Sequence, residues 1–206
     1  MAQSATSVPS DDHAGLRLIL ISPPGAGKGT HAQALHDATG VTHISSGDLL
    51  RAEVASGSAL GRDIAEYSAR GDLVPDEVIF EVLVPTVRKA VEQTGGYLLD
   101  GFPRTLAQAH RAAEIGVEEG LSVGRVLALD APTEVLVERL LDRATREGRA
   151  DDTIQVIRHR MAVYEKETAP LLEYYRGRGL LIEVDANRPQ VTVQHDIFNR
   201  LGVHLR

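Results

Sequence analysis

The stretch Ser22-Pro23-Pro24-Gly25-Ala26-Gly27-Lys28-Gly29-Thr30 sets three glycines and a lysine between the apolar run "LRLILI" and the helical pattern "HAQALHDATG". Backbone N–H groups of such a turn, and of the helix it opens, point together at one spot and favour an anion there. Gly25, Gly27 and Gly29 let the backbone curl tightly, and Lys28 reaches outer phosphates. Two positions depart from the usual pattern G-x-x-x-x-G-K-[ST], with Ser22 at the first glycine and Gly29 where a hydroxyl commonly ligates magnesium. Without that hydroxyl, magnesium would be held mainly by phosphates and water, as this ion accepts.

More groups suited to phosphate lie downstream. In "LLDGFPRTLAQ" an apolar strand ends in Asp100, at the sheet edge where α/β ligand sites lie. There it would meet magnesium through water; the alternative is a cap on the Gly-Phe-Pro turn. "ERLLDR" sets Arg139 and Arg143 four residues apart on one helix face. Arg149 and Arg160 follow across the start of a new helix. Four arginines near one junction call for an anion, unless Glu138, Asp142 and Glu147 neutralise them as surface ion pairs. Such charges suit phosphoryl transfer, which needs two phosphates in line, neutralised and kept from water.

The elements that must position these groups alternate. Short apolar runs at 16–21, 41–44, 96–100, 125–130 and 180–184 read as strands, and helices are expected at 28–39, 76–93, 105–119, 132–146, 151–175 and 189–201. Strands alternating with helices imply a parallel sheet, and continuously apolar strands imply helices on both faces. The expected fold is therefore α/β, a P-loop three-layer sandwich around a five-stranded parallel sheet. Residues 45–74, polar and punctuated by Gly and Ser, read as a helical insertion. Residues 144–152 form a smaller irregularity, and residues 1–15 read as a disordered leader. The remaining chain, 16–206, is expected to be one domain. A net charge of -7 in 206 residues argues against general affinity for nucleic acid or anionic membrane. No cysteine is present, so thiol chemistry and Cys-based zinc sites are excluded. Cytoplasmic residence is the expectation.

The segments "PPGAGKGT", "SGDLLR", "DGFPRT", "GRADD" and "TAPLLEYY" together resemble the adenylate kinase family, over about residues 16–201. The resemblance makes Gly29 a family trait, leaving Ser22, His31 and Gln155 as departures. It implies reversible transfer from ATP to AMP, giving two ADP, with magnesium and without zinc, by a monomer. It assigns Gly25, Ala26, Gly27, Lys28, Gly29, Thr30, Arg139, Arg143 and Arg188 to ATP. On the acceptor side it assigns Ser46, Arg51, Gly101, Arg104, Gln108, Arg149 and Arg160 to AMP, with Asp72, Leu73 and Val74 bordering the base. Lys28, Arg104, Arg143, Arg149 and Arg160 would carry catalysis, Asp100 would meet magnesium through water, and Asp151 and Asp152 would orient the arginines or cap a helix. Residues 45–74 then become the NMP-binding insertion, and 144–152 a short lid, with Gly47, Gly71 and Gly148 as candidate hinges. His43 and His159 read as structural. Related UMP/CMP kinases usually carry Asn at the positions of Thr105 and Gln108, so Gln108 favours AMP. A UMP/CMP kinase and a non-catalytic ATP-binding module remain the alternatives.

Overall fold

The computed structural model describes residues 15–70, 72–147 and 153–203. Gly71, Gly148, Arg149, Asp151, Asp152 and residues 1–14 of the expected leader lie outside the described residues. Five strands, β1 (Arg17–Ile21), β2 (His43–Ser45), β3 (Tyr97–Asp100), β4 (Arg125–Asp130) and β5 (Leu181–Asp185), form one parallel sheet in the order β2-β3-β1-β4-β5.

Both faces of the sheet are covered, which is why β1 reads as a continuous apolar run. Leu18 and Leu20 pack on one side with Leu35 of α1 (Lys28–Thr39), Leu136 of α6 (Thr133–Glu147) and Ile197 of α9 (Gln190–Leu201). Ile19 and Ile21 turn to the other side, against Leu83 of α4 (Asp76–Thr94), Ala109 of α5 (Leu106–Glu118) and Leu171 of α8 (Pro170–Arg176). Burying each such leucine or isoleucine is worth about 1.5–3 kcal/mol. The two cores hold the strand ends, and the loops they carry, in fixed relation.

Between β2 and α4 lie α2 (Ser46–Ala55) and α3 (Ala59–Arg70). Helices α1 and α4 begin where the sequence places them, and α4 keeps Pro85 in its interior. Two expectations are corrected. β2 begins at His43, not Val41, because Thr42 gives its backbone N–H to the Thr94 side chain and Val41 gives its carbonyl to His36. The expected single helix over 151–175 is broken into α7 (Ile154–Val163), a π-helical turn (Tyr164–Thr168) and α8. Pro170 has no N–H to continue α-helical bonding, and Ala169 bonds back to the Tyr164 carbonyl at 2.8 Å.

Candidate active site

β1 and β3 are neighbours in the sheet, with Leu20 paired to Asp100, so their carboxyl ends open side by side. The chain leaves β1 through the glycine-rich loop and leaves β3 through Gly101 and the cis peptide Phe102–Pro103. Here the strand order reverses around β1, the place where open α/β sheets bind ligands. A cleft of about 510 Å³ lies over it.

The loop has the geometry that its glycines imply. Gly25 and Gly27 adopt φ 88° and 86°, and no described residue other than glycine has positive φ, so Ser22 is unstrained. Helix α1 starts at Lys28 without a side-chain cap, which leaves its first N–H groups to an anion. Gly25 lies so close to α6 that an added Cβ would stand 2.6 Å from the Leu136 carbonyl oxygen and 3.1 Å from Leu140 Cγ. Gly25→Ala is therefore expected to cost at least about 2 kcal/mol, lowering the melting temperature by roughly 4–8 °C. Calorimetric melting checks this; a shift under about one degree would contradict it.

Lys28 Nζ donates to Ser22 Oγ at 3.1 Å, and the Ser22 hydroxyl donates in turn to the Pro23 carbonyl at 2.9 Å. The serine that departs from the loop pattern thus becomes a partner of the lysine. Asp100 Oδ1 stands 3.9 Å from the ammonium, and Asp100 Oδ2 stands 3.9 Å from His43 Nε2. Burial pushes the Lys28 pKa down, with Arg104, Arg160 and Arg143 adding to the effect and Asp100 opposing it. Burial alone would raise the Asp100 pKa, but Lys28, His43 and Arg104 together hold it below the usual carboxylate value. Among the described residues no three His, Cys, Asp or Glu side chains gather into a metal cage.

Beyond β2, α2 begins at Ser46, its cap Ser45 accepting from the Asp48 backbone N–H. Ser46 is buried, its Oγ has no hydrogen-bond partner among the described residues, and it presses against Gly101, whose added Cβ would meet that oxygen at 2.6 Å. Arg104 is pinned through Nε to the Gly101 carbonyl at 2.7 Å, and its own carbonyl accepts from Thr168 Oγ1 at 2.8 Å. Burial and Arg160 push the Arg104 pKa down, with Asp100 opposing. Such crowding of cations in half-buried space is costly unless an anion joins them.

The expected residues divide as follows. Gly25, Gly27, Lys28, Gly29, Thr30, Ser46, Arg51, Asp72, Leu73, Val74, Asp100, Gly101, Arg104, Gln108, Arg139, Arg143 and Arg160 line the one cleft. Ala26 is buried beneath the loop. Arg188 is not among the residues lining the cleft; it binds Asp196 at 2.7 Å and the Asp185 carbonyl at 3.0 Å. Arg51 is drawn onto Asp48, one turn away in α2, and Arg139 donates to the Ala186 carbonyl at 3.1 Å. His159, read as structural, lies 2.9 Å from Asp72 and links α7 to the segment that follows α3. His43, Tyr164 and Thr168 also line the cleft. The kinked "TAPLLEYY" segment was the available signal for Thr168; nothing local marked Tyr164, whose hydroxyl is pushed up to about 12 by burial, with Asp130 adding.

A family model described as "Adenylate kinase" matches residues 20–180. The chain belongs to the adenylate kinase family. Curated relatives agree along nearly the whole length. One named "Adenylate kinase" from Synechococcus sp. (strain WH7803) is 49% identical over 170 residues, 82% of this chain and 90% of the relative. Others of that name are 45% identical over 181 residues in Cyanothece sp. (strain PCC 7425 / ATCC 29141), covering 88% and 92%, and 46% over 187 residues in Xanthomonas campestris pv. campestris (strain 8004), covering 91% and 97%. As a member of the adenylate kinase family the chain is a nucleoside monophosphate kinase, a phosphotransferase. Among the described residues no helix is long and apolar enough to cross a membrane.

Proposed function

We propose that the chain catalyses reversible, magnesium-dependent transfer of the terminal phosphoryl group of ATP to AMP, giving two ADP. The observation that carries this reading is the convergence of Lys28, Arg104, Arg143 and Arg160 on one cleft whose two walls are the glycine-rich loop and the α2–α3 insertion. One cation set at the phosphate loop would serve a nucleotide binder. Lys28 at the loop and Arg104 after β3, with Arg143 of α6 and Arg160 of α7, serve a donor and an acceptor phosphate at once.

The loop N–H groups and Lys28 hold the donor phosphates, and Arg104 holds the acceptor phosphate, with Arg51 joining it by leaving Asp48. Arg143 and Arg160 flank the path between them. A phosphate oxygen of AMP attacks the terminal phosphorus of ATP, the bond from that phosphorus to the ADP oxygen breaks, and the charge stays on phosphate oxygens throughout. No side chain need accept a proton, because the attacking oxygen is already anionic. Asp100 fits magnesium as a water-mediated partner, and the ion, carried in on ATP, would neutralise phosphate charge. Arg149, Asp151, Asp152 and the short lid over 144–152 belong to the same proposal, as does a monomer, since both walls come from one chain.

Gln108 gives the preference for AMP, because a site that hydrogen-bonds a base leaves buried groups unpaired when another base enters. Purified protein given ATP with AMP, UMP or CMP separately is expected to form product at least about tenfold faster with AMP. Faster turnover of UMP would make it a UMP/CMP kinase, and ATP binding without acceptor-dependent ADP would make it a binding module.

A further inference from the structure

Asp76 lies in the first turn of α4, on the acceptor side but outside every role assigned above. Its Oδ1 accepts from Gln108 Nε2 at 2.7 Å, across 32 residues of sequence. The amide oxygen of Gln108 accepts from the Arg104 backbone N–H at 2.8 Å, and the Gln108 backbone N–H caps onto Thr105 Oγ1 at 3.1 Å. Gln108 is only 3% exposed yet lines the cleft beside Val74 and Ile79.

These partners leave the amide one sense. A carboxylate accepts and a backbone N–H donates, so turning the amide over would set its oxygen against Asp76 and its NH₂ against the Arg104 N–H. Two repulsive, buried contacts would replace two good ones. Helix α4 cannot drift away to relieve them, because Ile79 and Leu83 pack in the same core as Ala109 of α5. Each amide carries two hydrogens and two lone pairs, so after Asp76 and Arg104 are served, one hydrogen and one lone pair remain.

We propose that Asp76 is a specificity-determining positioning residue, holding Gln108 in the sense that reads adenine and refuses hypoxanthine. Adenine offers a donor at its 6-amino group and an acceptor at N1. Hypoxanthine offers an acceptor at O6 and a donor at N1, the same two places with the signs reversed. An amide free to turn over would serve either base; a fixed one serves only the first. The inference rests on the reading of this cleft as the AMP site.

The test compares kcat/KM for AMP with that for IMP, at saturating ATP, in the wild type, Asp76→Ala and Asp76→Asn. The wild type is expected to prefer AMP, and Asp76→Ala to lower the AMP:IMP ratio about tenfold or more, the effect of one mismatched hydrogen bond. Asp76→Asn keeps an acceptor oxygen facing Gln108 and is expected to hold the ratio within about threefold of wild type. A merely structural Asp76 would depress both substrates alike. An unchanged ratio in Asp76→Ala, or a wild type indifferent to AMP and IMP, overturns the inference. Calorimetric titration of AMP and IMP into the same proteins reads the ratio without turnover. An enzyme that binds AMP selectively but makes no ADP would defeat the proposed reaction and leave the role of Asp76 standing.

Discussion

Lys28→Ala is expected to lower kcat for ADP formation by about 10²–10³-fold while the protein stays folded. The magnitude is that of removing one preorganised donor aimed at charge in a water-excluded site. Lys28 is held at 3.1 Å by Ser22 and faced by Asp100, so it loses little freedom on meeting phosphate. Stability should change little or rise, because the same substitution removes a buried cation crowded by Arg104, Arg143 and Arg160. Steady-state kinetics and a thermal melt on one preparation decide the matter. A loss below about fivefold in a folded variant would remove Lys28 from the reaction.

Arg104→Ala is expected to have the larger effect, between about 10³ and 10⁵ in kcat/KM for AMP, the range found for arginines that stabilise phosphoryl transfer. Arg104→Lys should recover only part of it, since an ammonium keeps the charge but lacks the planar fork. The backbone N–H that anchors Gln108 survives in both variants, so base preference should persist in whatever activity remains. Loss of that preference together with the rate would mean that the whole β3–α5 loop had collapsed. Near-wild-type turnover would remove Arg104 from the acceptor site.

Much of this arrangement was legible from residue order. The apolar runs marked the strands most clearly at β1, β3 and β4, which are buried on both faces, and the glycines marked the loop because Gly25 and Gly27 must take positive φ. Contacts between distant segments were not legible. Asp76 reads as an ordinary acidic residue in the first turn of a helix, and only the packing of α4 beside α5 brings it to Gln108. Arg188 carries the charge expected of a nucleotide contact, and its pairing with Asp196, nearly two turns into α9, could not be read from residue order. The break after α7 was missed because residues 164–168, Tyr-Glu-Lys-Glu-Thr, hold no glycine or proline to mark it, while Pro170 acts on the hydrogen-bond ladder, which residue order does not reveal.

That wide turn has a geometric consequence. It accommodates one residue more than regular winding would, and α8 beyond it is locked into the core by Leu171 and Tyr175. Winding the same residues as an ordinary spiral would swing everything upstream about 100° around the axis, carrying Arg160 away from its fellow cations. The irregular stretch therefore works as a rotational setting, absorbing the surplus residue so that the helix on either side keeps its facing.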